Sequence, residues 1–468
     1  MPVAAVNVME YGSDLMNSRG AGRWAHIVGL GRSGLAAAQL LLRNGWSLVV
    51  SDDADTENLR QLGRELTARP ETSVNIQFGG HYEALAVPVD LVVASPGLPW
   101  NAKVLEERRA QGARVIAELE LGWRYMRGRM AAITGSNGKT TTAALLGEIL
   151  ANSGRPAFTC GNIGLPLSAI ADKTDDETLL SVEVSSFQLE GITEFRPEVA
   201  VLMNITPDHL DRHGGHRSYA LTKARLWMNQ KADDHLVYFA DDPIVAALVT
   251  NAPSRKFPFS LKEQLAYGAF ADNGHLIVRT SETAELLLER RLLQLPGRHN
   301  ALNALAAMSA ALLMGVEPEL VRMGVAGFKG VPHRLETVRE LNNVLWINDS
   351  KATNVDAGRW ALEAVPRPLV LIAGGRGKGG GFKALRPYAG GRVKKFILIG
   401  EAAPEIKMDL GDLAPVAMAA DLAEAVRLAQ QAAAPGDAVL LSPLCASFDM
   451  FRDFEDRGDR FRRLVLEL

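Results

Sequence analysis

Short apolar runs recur along this chain, and longer stretches with apolar positions three and four residues apart separate them. Trp24–Gly29, Ser47–Ser51 and Asp90–Ala94 read as strands, with a helix over Ser33–Asn44. Ser95-Pro96-Gly97 ends the third of these strands. A second block opens with strand Met130–Thr134 and helix Thr141–Ala151. Strands Leu179–Val184 and Glu198–Asn204 follow, and then helix Asn300–Met314. A third block carries strands Val344–Asn348, Leu369–Ala373, Lys395–Ile399 and Ala438–Ser442. This alternation predicts an α/β protein whose parallel sheets are joined by crossover helices.

The pattern changes near Arg127-Gly128 and over Phe328–Pro332, which places three domains at 1–120, 121–330 and 331–468. The total of 468 residues agrees with about three domains. Residues 1–20 contain Glu10, Asp14 and Arg19 and no apolar run of signal-peptide length, so they read as a flexible extension. No apolar stretch reaches the length of a membrane span.

Composition narrows the class. With 47% hydrophobic and 22% charged residues and a formal charge of −3, the chain carries no sign of a nucleic-acid or membrane surface. Its two cysteines, Cys160 and Cys445, lie too far apart for a secreted disulfide scaffold, and a reduced cytoplasmic enzyme is expected.

Two glycine turns carry the chemistry. Gly29-Leu30-Gly31-Arg32-Ser33-Gly34 joins a strand to a helix, and its glycines let backbone N–H groups approach a diphosphate. Asp52 and Asp53 end the next strand, where a ribose-binding acid would sit. Alone, this turn reads as a nicotinamide-dinucleotide site, although any nucleotide diphosphate satisfies the same physics. The second turn, Gly135-Ser136-Asn137-Gly138-Lys139-Thr140-Thr141, is more specific. Backbone amides would cradle a triphosphate, Lys139 would neutralise its β and γ oxygens, and Thr140 would hold Mg²⁺. It is a shortened variant, because Ile133 stands where the first glycine of the usual spacing belongs. Glu183 and the Asn204–His209 cluster should reach the same sheet edge and offer metal ligands.

Thr134–Thr140, Gly161–Gly164, Glu183–Leu189 and Asn204–Asp211 together resemble the motifs of the Mur ligase family. His299-Asn300 with Asn303 is similar to that family's adenine-contact segment. The resemblance runs over nearly the whole chain from about Ala25 and implies a three-domain fold, with a Rossmann-like domain on either side of a central nucleotide-binding sheet. Asn348–Asn354, Pro332–Arg334, Gly374–Gly379, Leu441–Asp449 and the segment Phe454-Glu455 with Arg457-Gly458 resemble the glutamate-adding branch. The lysine loop departs from the family in placing Gly380-Gly381 ahead of Phe382.

The resemblance implies an ATP-dependent ligase of peptidoglycan precursor synthesis that works on UDP-N-acetylmuramoyl-L-alanine and D-glutamate as a cytoplasmic monomer. The D form rests on the resemblance alone. Gly135 to Thr141, Asn300, Asn303, Arg334 and Asp349 would bind ATP. Thr140, Glu183, His209 and Lys223 would serve about two Mg²⁺ ions, with Lys223 matching a lysine that is carbamylated in the family. Lys139, Glu183, His209 and Lys223 would be the catalytic set. Gly29, Leu30, Gly31, Arg32, Ser33, Asp52, Asn162, Ser185 and Gln188 would bind the UDP substrate. Lys351, Thr353, Lys378, Ser447 and Phe454 would bind glutamate. Three rivals stand beside this reading: a dinucleotide-dependent oxidoreductase, which leaves the Lys139 loop unexplained; a non-catalytic ATP switch, which leaves the third block's lysines unexplained; and a folyl-polyglutamate synthase, for which the first block is superfluous.

Overall fold

The computed structural model describes residues 22–68, 73–281, 285–295, 297–377 and 381–468. The expected extension over residues 1–20 and the proposed ligand Lys378 lie outside them. Three sheets form among the described residues. The first is parallel, in the order Val74–Phe78, Ser47–Asp52, Trp24–Val28, Leu91–Ala94, Arg114–Ala117. The third has six strands, in the order Glu336–Leu341, Val344–Asn348, Ala438–Leu441, Leu369–Gly374, Val393–Ile399, Val416–Met418.

The central sheet has nine strands. Arg129–Thr134 lies between Leu179–Glu183 and Val199–Leu202, and all three run parallel. Their carboxyl ends therefore meet at one edge, where open α/β sheets bind ligands. Side chains alternate across the sheet: Ala131, Ile133, Val199 and Val201 enter one apolar cluster, and Met130, Ala132, Ala200 and Leu202 the other. Helices Lys139–Ala151 and Arg298–Leu313 pack together over the first face. Each fully buried leucine or isoleucine there contributes roughly 1.5–3 kcal/mol.

The expected parallel sheets form, and two of them also carry antiparallel strands. Gly268–Asp272, His275–Arg279 and Glu285–Glu289 form an antiparallel meander at one edge of the central sheet. Glu336–Leu341 pairs antiparallel with Val344–Asn348 in the third. The cause is local. Asn273-Gly274 takes φ values of 46° and 79°, and Asn342-Asn343 takes 51° and 60°. Two successive left-handed residues make the tight turn whose twist matches a hairpin, and asparagine and glycine reach it at least cost.

Candidate active site

The loop after Thr134 is pinned from both sides. Asn204 Oδ1 accepts from the Asn137 amide at 2.9 Å, and its Nδ2 donates to the Asn137 carbonyl at 3.0 Å. Ser136 Oγ donates to the Thr206 carbonyl at 2.9 Å. Gly138 has φ 87°, and a Cβ there would stand 2.5 Å from Asn303 Oδ1; only glycine fits. The helix begins at Lys139, two residues earlier than the pattern predicts, so Lys139 and Thr140 occupy its first turn. That terminus, free of acidic residues, is a natural phosphate site.

Two lysines converge on this loop. Lys139 Nζ donates to the Gly135 and Ser136 carbonyls at 2.7 and 2.8 Å. Lys223 Nζ donates to the same Gly135 carbonyl at 2.9 Å and lies 4.6 Å from the Tyr219 ring centre. Burial, reinforced by the Lys139 charge, pulls the Lys223 pKa well below that of an ordinary lysine.

Glu183 closes the strand beside the loop. Its Oε1 accepts from Asn162 Nδ2 at 2.9 Å, while Oε2 is buried with no hydrogen-bond partner among the described residues. A buried, half-used carboxylate next to a phosphate loop fits a cation. Among the described residues no group of three or more His, Cys, Asp and Glu side chains is assembled for a metal. His209 takes a left-handed backbone, φ 51°, with its ring 5.0 Å from that of Phe187 and 3.6 Å from Asp208 Oδ2.

The third sheet's loops lie over the second's. A narrow crevice between them, with a cavity volume of about 30 Å³, collects Asn137, Gly138, Thr141, Asn303, Arg334 and Asp349. Asn300, one helical turn from Asn303, accepts from its Nδ2 at 3.2 Å. His299 and Trp360 face each other across the crevice, ring centres 5.8 Å apart; pattern reasoning passed over Trp360, which sits on an ordinary amphipathic helix. Asp356 Oδ2 accepts from Asn137 Nδ2 at 2.6 Å, tying that helix to the phosphate loop. Asp349 is fully buried, which pushes its pKa up to about 6 against the pull of Arg334.

Lys351 projects toward the same region. Burial pulls its pKa down to about 8, Glu183 opposes that shift, and Arg334 and Lys139 add to it. Its Nζ lies 4.6 Å from the Phe454 ring centre, and the Thr353 amide donates to the Lys351 carbonyl at 2.9 Å. Ser447 is buried in the turn that follows Ala438–Leu441. Arg457, which motif matching left without a role, organises these loops. It donates from Nε to Ser350 Oγ at 2.9 Å, and from Nη2 to the Ser350 and Cys445 carbonyls at 2.8 and 3.3 Å.

A separate cleft between the first and second sheets gathers Arg32, Ser33, Asn162 and Gln188. Ser185 caps the short helix that carries Gln188, their side chains bonding reciprocally. Gly29, Leu30 and Gly31 form the turn just before Arg32. Asp52 braces that turn, because its two oxygens accept from the Leu30 and Ala54 amides at 2.8 and 3.0 Å. Through Asn162, this cleft reaches Glu183 and the phosphate loop.

Comparison with known proteins agrees with this arrangement. Residues 24–117 match the family model for the Mur ligase MurD-like N-terminal domain, 133–311 that for the Mur ligase middle domain, and 333–445 that for the Mur ligase glutamate ligase domain. The chain is 44% identical over 447 residues to the UDP-N-acetylmuramoylalanine--D-glutamate ligase of Acidobacterium capsulatum, covering 95% of this chain and 96% of that one. It is 41% identical to the enzyme of the same name from Geotalea daltonii, covering 94% and 97%. Among solved structures, the UDP-N-acetylmuramate-alanine ligase MurC of Thermotoga maritima superposes with a TM-score of 0.60 at 20% identity, covering 95% and 99%. The MurF ligase of Thermotoga maritima in complex with ADP gives a TM-score of 0.60 at 19% identity, covering 97% of each chain. These matches set aside the dinucleotide oxidoreductase that the first glycine turn alone could suggest. With its three sheets, its phosphate loop and matches along nearly its full length, the chain belongs to the Mur ligase family.

Proposed function

We propose that the chain joins D-glutamate to UDP-N-acetylmuramoyl-L-alanine at the expense of ATP, releasing ADP and phosphate, in peptidoglycan precursor synthesis. The observation that carries this reading is the convergence of Lys139, Lys223 and Glu183 of the central sheet with Lys351 of the third. A carboxylate is a poor acylating agent for an amine, because its charge is shared between two oxygens and neither leaves readily; activating it brings a second anion, the γ-phosphate, against it. Cationic groups must therefore stand where the two anions meet.

Three regions divide the work. Residues up to about 120 hold the UDP moiety at the Gly29–Ser33 turn and Asp52, with Asn162, Ser185 and Gln188 facing the muramoyl end. Residues 121–330 hold ATP through Gly135–Thr141, Asn300 and Asn303. Residues 331–468 add Arg334 and Asp349 to the nucleotide, and offer Lys351, Thr353, Lys378, Ser447 and Phe454 to glutamate. Thr140, Glu183, His209 and a carbamylated Lys223 would hold magnesium, about two ions, which supplies charge compensation between carboxylate and γ-phosphate. Lys139 steadies the transferring phosphoryl group. The acyl phosphate that results is attacked by the glutamate amine, and phosphate leaves from the tetrahedral intermediate. Lys351 orients a glutamate carboxylate by charge, and the closed third region keeps water from the acyl phosphate.

No helix among the described residues is long and apolar enough to cross a membrane, which suits a cytoplasmic enzyme. We propose that it acts as a monomer. The test is ADP release with ATP, Mg²⁺, UDP-N-acetylmuramoyl-L-alanine and each glutamate enantiomer in turn. Turnover is expected only with both acceptor acid and D-glutamate; turnover without the acid, or with L-glutamate alone, contradicts the proposal.

A further inference from the structure

The cleft between the first and second sheets has two walls, contributed by different regions of the chain. The first is the turn after strand Leu91–Ala94, whose Ser95, Pro96 and Gly97 line the cleft. Ser95 N donates to the Val28 carbonyl at 2.9 Å, and Leu98 N donates back to the Ser95 carbonyl at 3.0 Å, which closes the turn. Ser95 also packs tightly on Gly29, where a Cβ would stand 2.8 Å from the serine Cβ. The second wall is the short helix Ser186–Leu189, which carries Gln188 into the cleft and is followed at once by Glu190.

Arg212 belongs to neither wall and bonds to both. It lies in helix Leu210–His213, three residues beyond His209. Its Nη2 donates to the Leu98 carbonyl and to Glu190 Oε2, each at 2.7 Å, and its Nε donates to Glu190 Oε1 at 3.3 Å. The guanidinium also lies 4.8 Å from the ring centre of Phe187, on the second wall's helix. The ion pair is sheltered, with the Arg212 side chain 16% exposed and that of Glu190 14%. A planar fork paired with a carboxylate and set against an aromatic ring has one favourable orientation. That orientation presents the remaining Nη2 hydrogen to Leu98. The compact ammonium of a lysine has no such geometry to impose.

We propose that Arg212 is a positioning residue that fixes the spacing between the Ser95–Gly97 turn and the Gln188 helix, and so favours a ligand long enough to touch both walls. Arg212 acts through Leu98 and Glu190. A nucleotide that ends at its diphosphate rests on the first region alone and is insensitive to the spacing, whereas a nucleotide-linked acid spans it. This inference rests on the reading that the cleft holds the UDP-linked acid.

The test compares UDP-N-acetylmuramoyl-L-alanine with UDP as ligands of the full chain. Arg212→Met keeps an extended side chain and removes every donor. It should raise the Kd of the UDP acid about tenfold, and leave the Kd of UDP and the KM for ATP within about twofold. Arg212→Lys keeps the charge without the fork and should recover part of the loss. Should Arg212→Met not fold, Arg212→Lys alone should still weaken the UDP acid several-fold and spare UDP. Equal weakening of UDP and the UDP acid would make Arg212 a general support and overturn the proposal. Binding of the UDP acid indifferent to the substitutions would overturn it as well. An unmodified chain that binds the UDP acid no more tightly than UDP overturns the assignment of the cleft instead.

Discussion

Lys139 and Lys223 donate to one carbonyl, that of Gly135. Two full charges so close in a buried site would repel, and burial together with the Lys139 charge draws the Lys223 pKa well below that of an ordinary lysine. A neutral amine adds CO₂, which would turn a would-be cation into a metal-binding carboxylate. Protein equilibrated with isotope-labelled bicarbonate should therefore give one carbamate signal that Lys223→Arg abolishes; a signal surviving that substitution contradicts the assignment. Lys351 supplies a second test. With its pKa lowered to about 8, it is cationic below that pH and loses its charge above it. Inhibition by glutarate, a dicarboxylate without the amine, should be flat below about pH 8 and weaken toward tenfold per unit above it; a flat profile through pH 9, about one unit higher, would show that Lys351 does not hold the carboxylate. Lysine 139 was legible in the sequence because glycines and a strand frame it. The lowered pKa of Lys223 was not, because it depends on the burial of the amine and on Lys139 beside it.

Elements set the positions of these residues, and their legibility varied with local signal. Strands such as Leu179–Glu183, buried on both faces, read clearly as apolar runs. Val74–Phe78 went unread because this edge strand is partly exposed and carries mixed residues, and Arg114–Ala117, though largely buried, because it is only four residues long. The Asn273-Gly274 hairpin carried a signal that the parallel-sheet expectation overrode. At this scale Arg457 is the informative residue, since it clamps the Ser350 and Cys445 loops from helix Phe454–Leu466. Arg457→Met leaves their buried acceptors without donors, which should cost about 3 kcal/mol. Urea unfolding should register that loss, and the KM for glutamate should rise several-fold as the Lys351 and Ser447 loops loosen. An unchanged midpoint together with an unchanged KM would contradict the clamp.

Across the whole molecule, sites form where sheets meet, and sequence patterning does not encode that. The contact between Asn137 and Asp356, 219 positions apart, appears only once the second and third sheets are docked. The crevice between them is narrow, about 30 Å³, and the third region is expected to move as the nucleotide enters. X-ray scattering should give a smaller radius of gyration with a non-hydrolysable ATP analogue and the UDP acid than without them; equal radii would contradict the motion. On the proposed chemistry, phosphorylation of the acid precedes amide formation. The direct measurement is turnover of UDP-N-acetylmuramoyl-L-alanine bearing isotopically labelled carboxylate oxygen. One labelled oxygen is expected in each phosphate released, and phosphate free of label would contradict that order of steps.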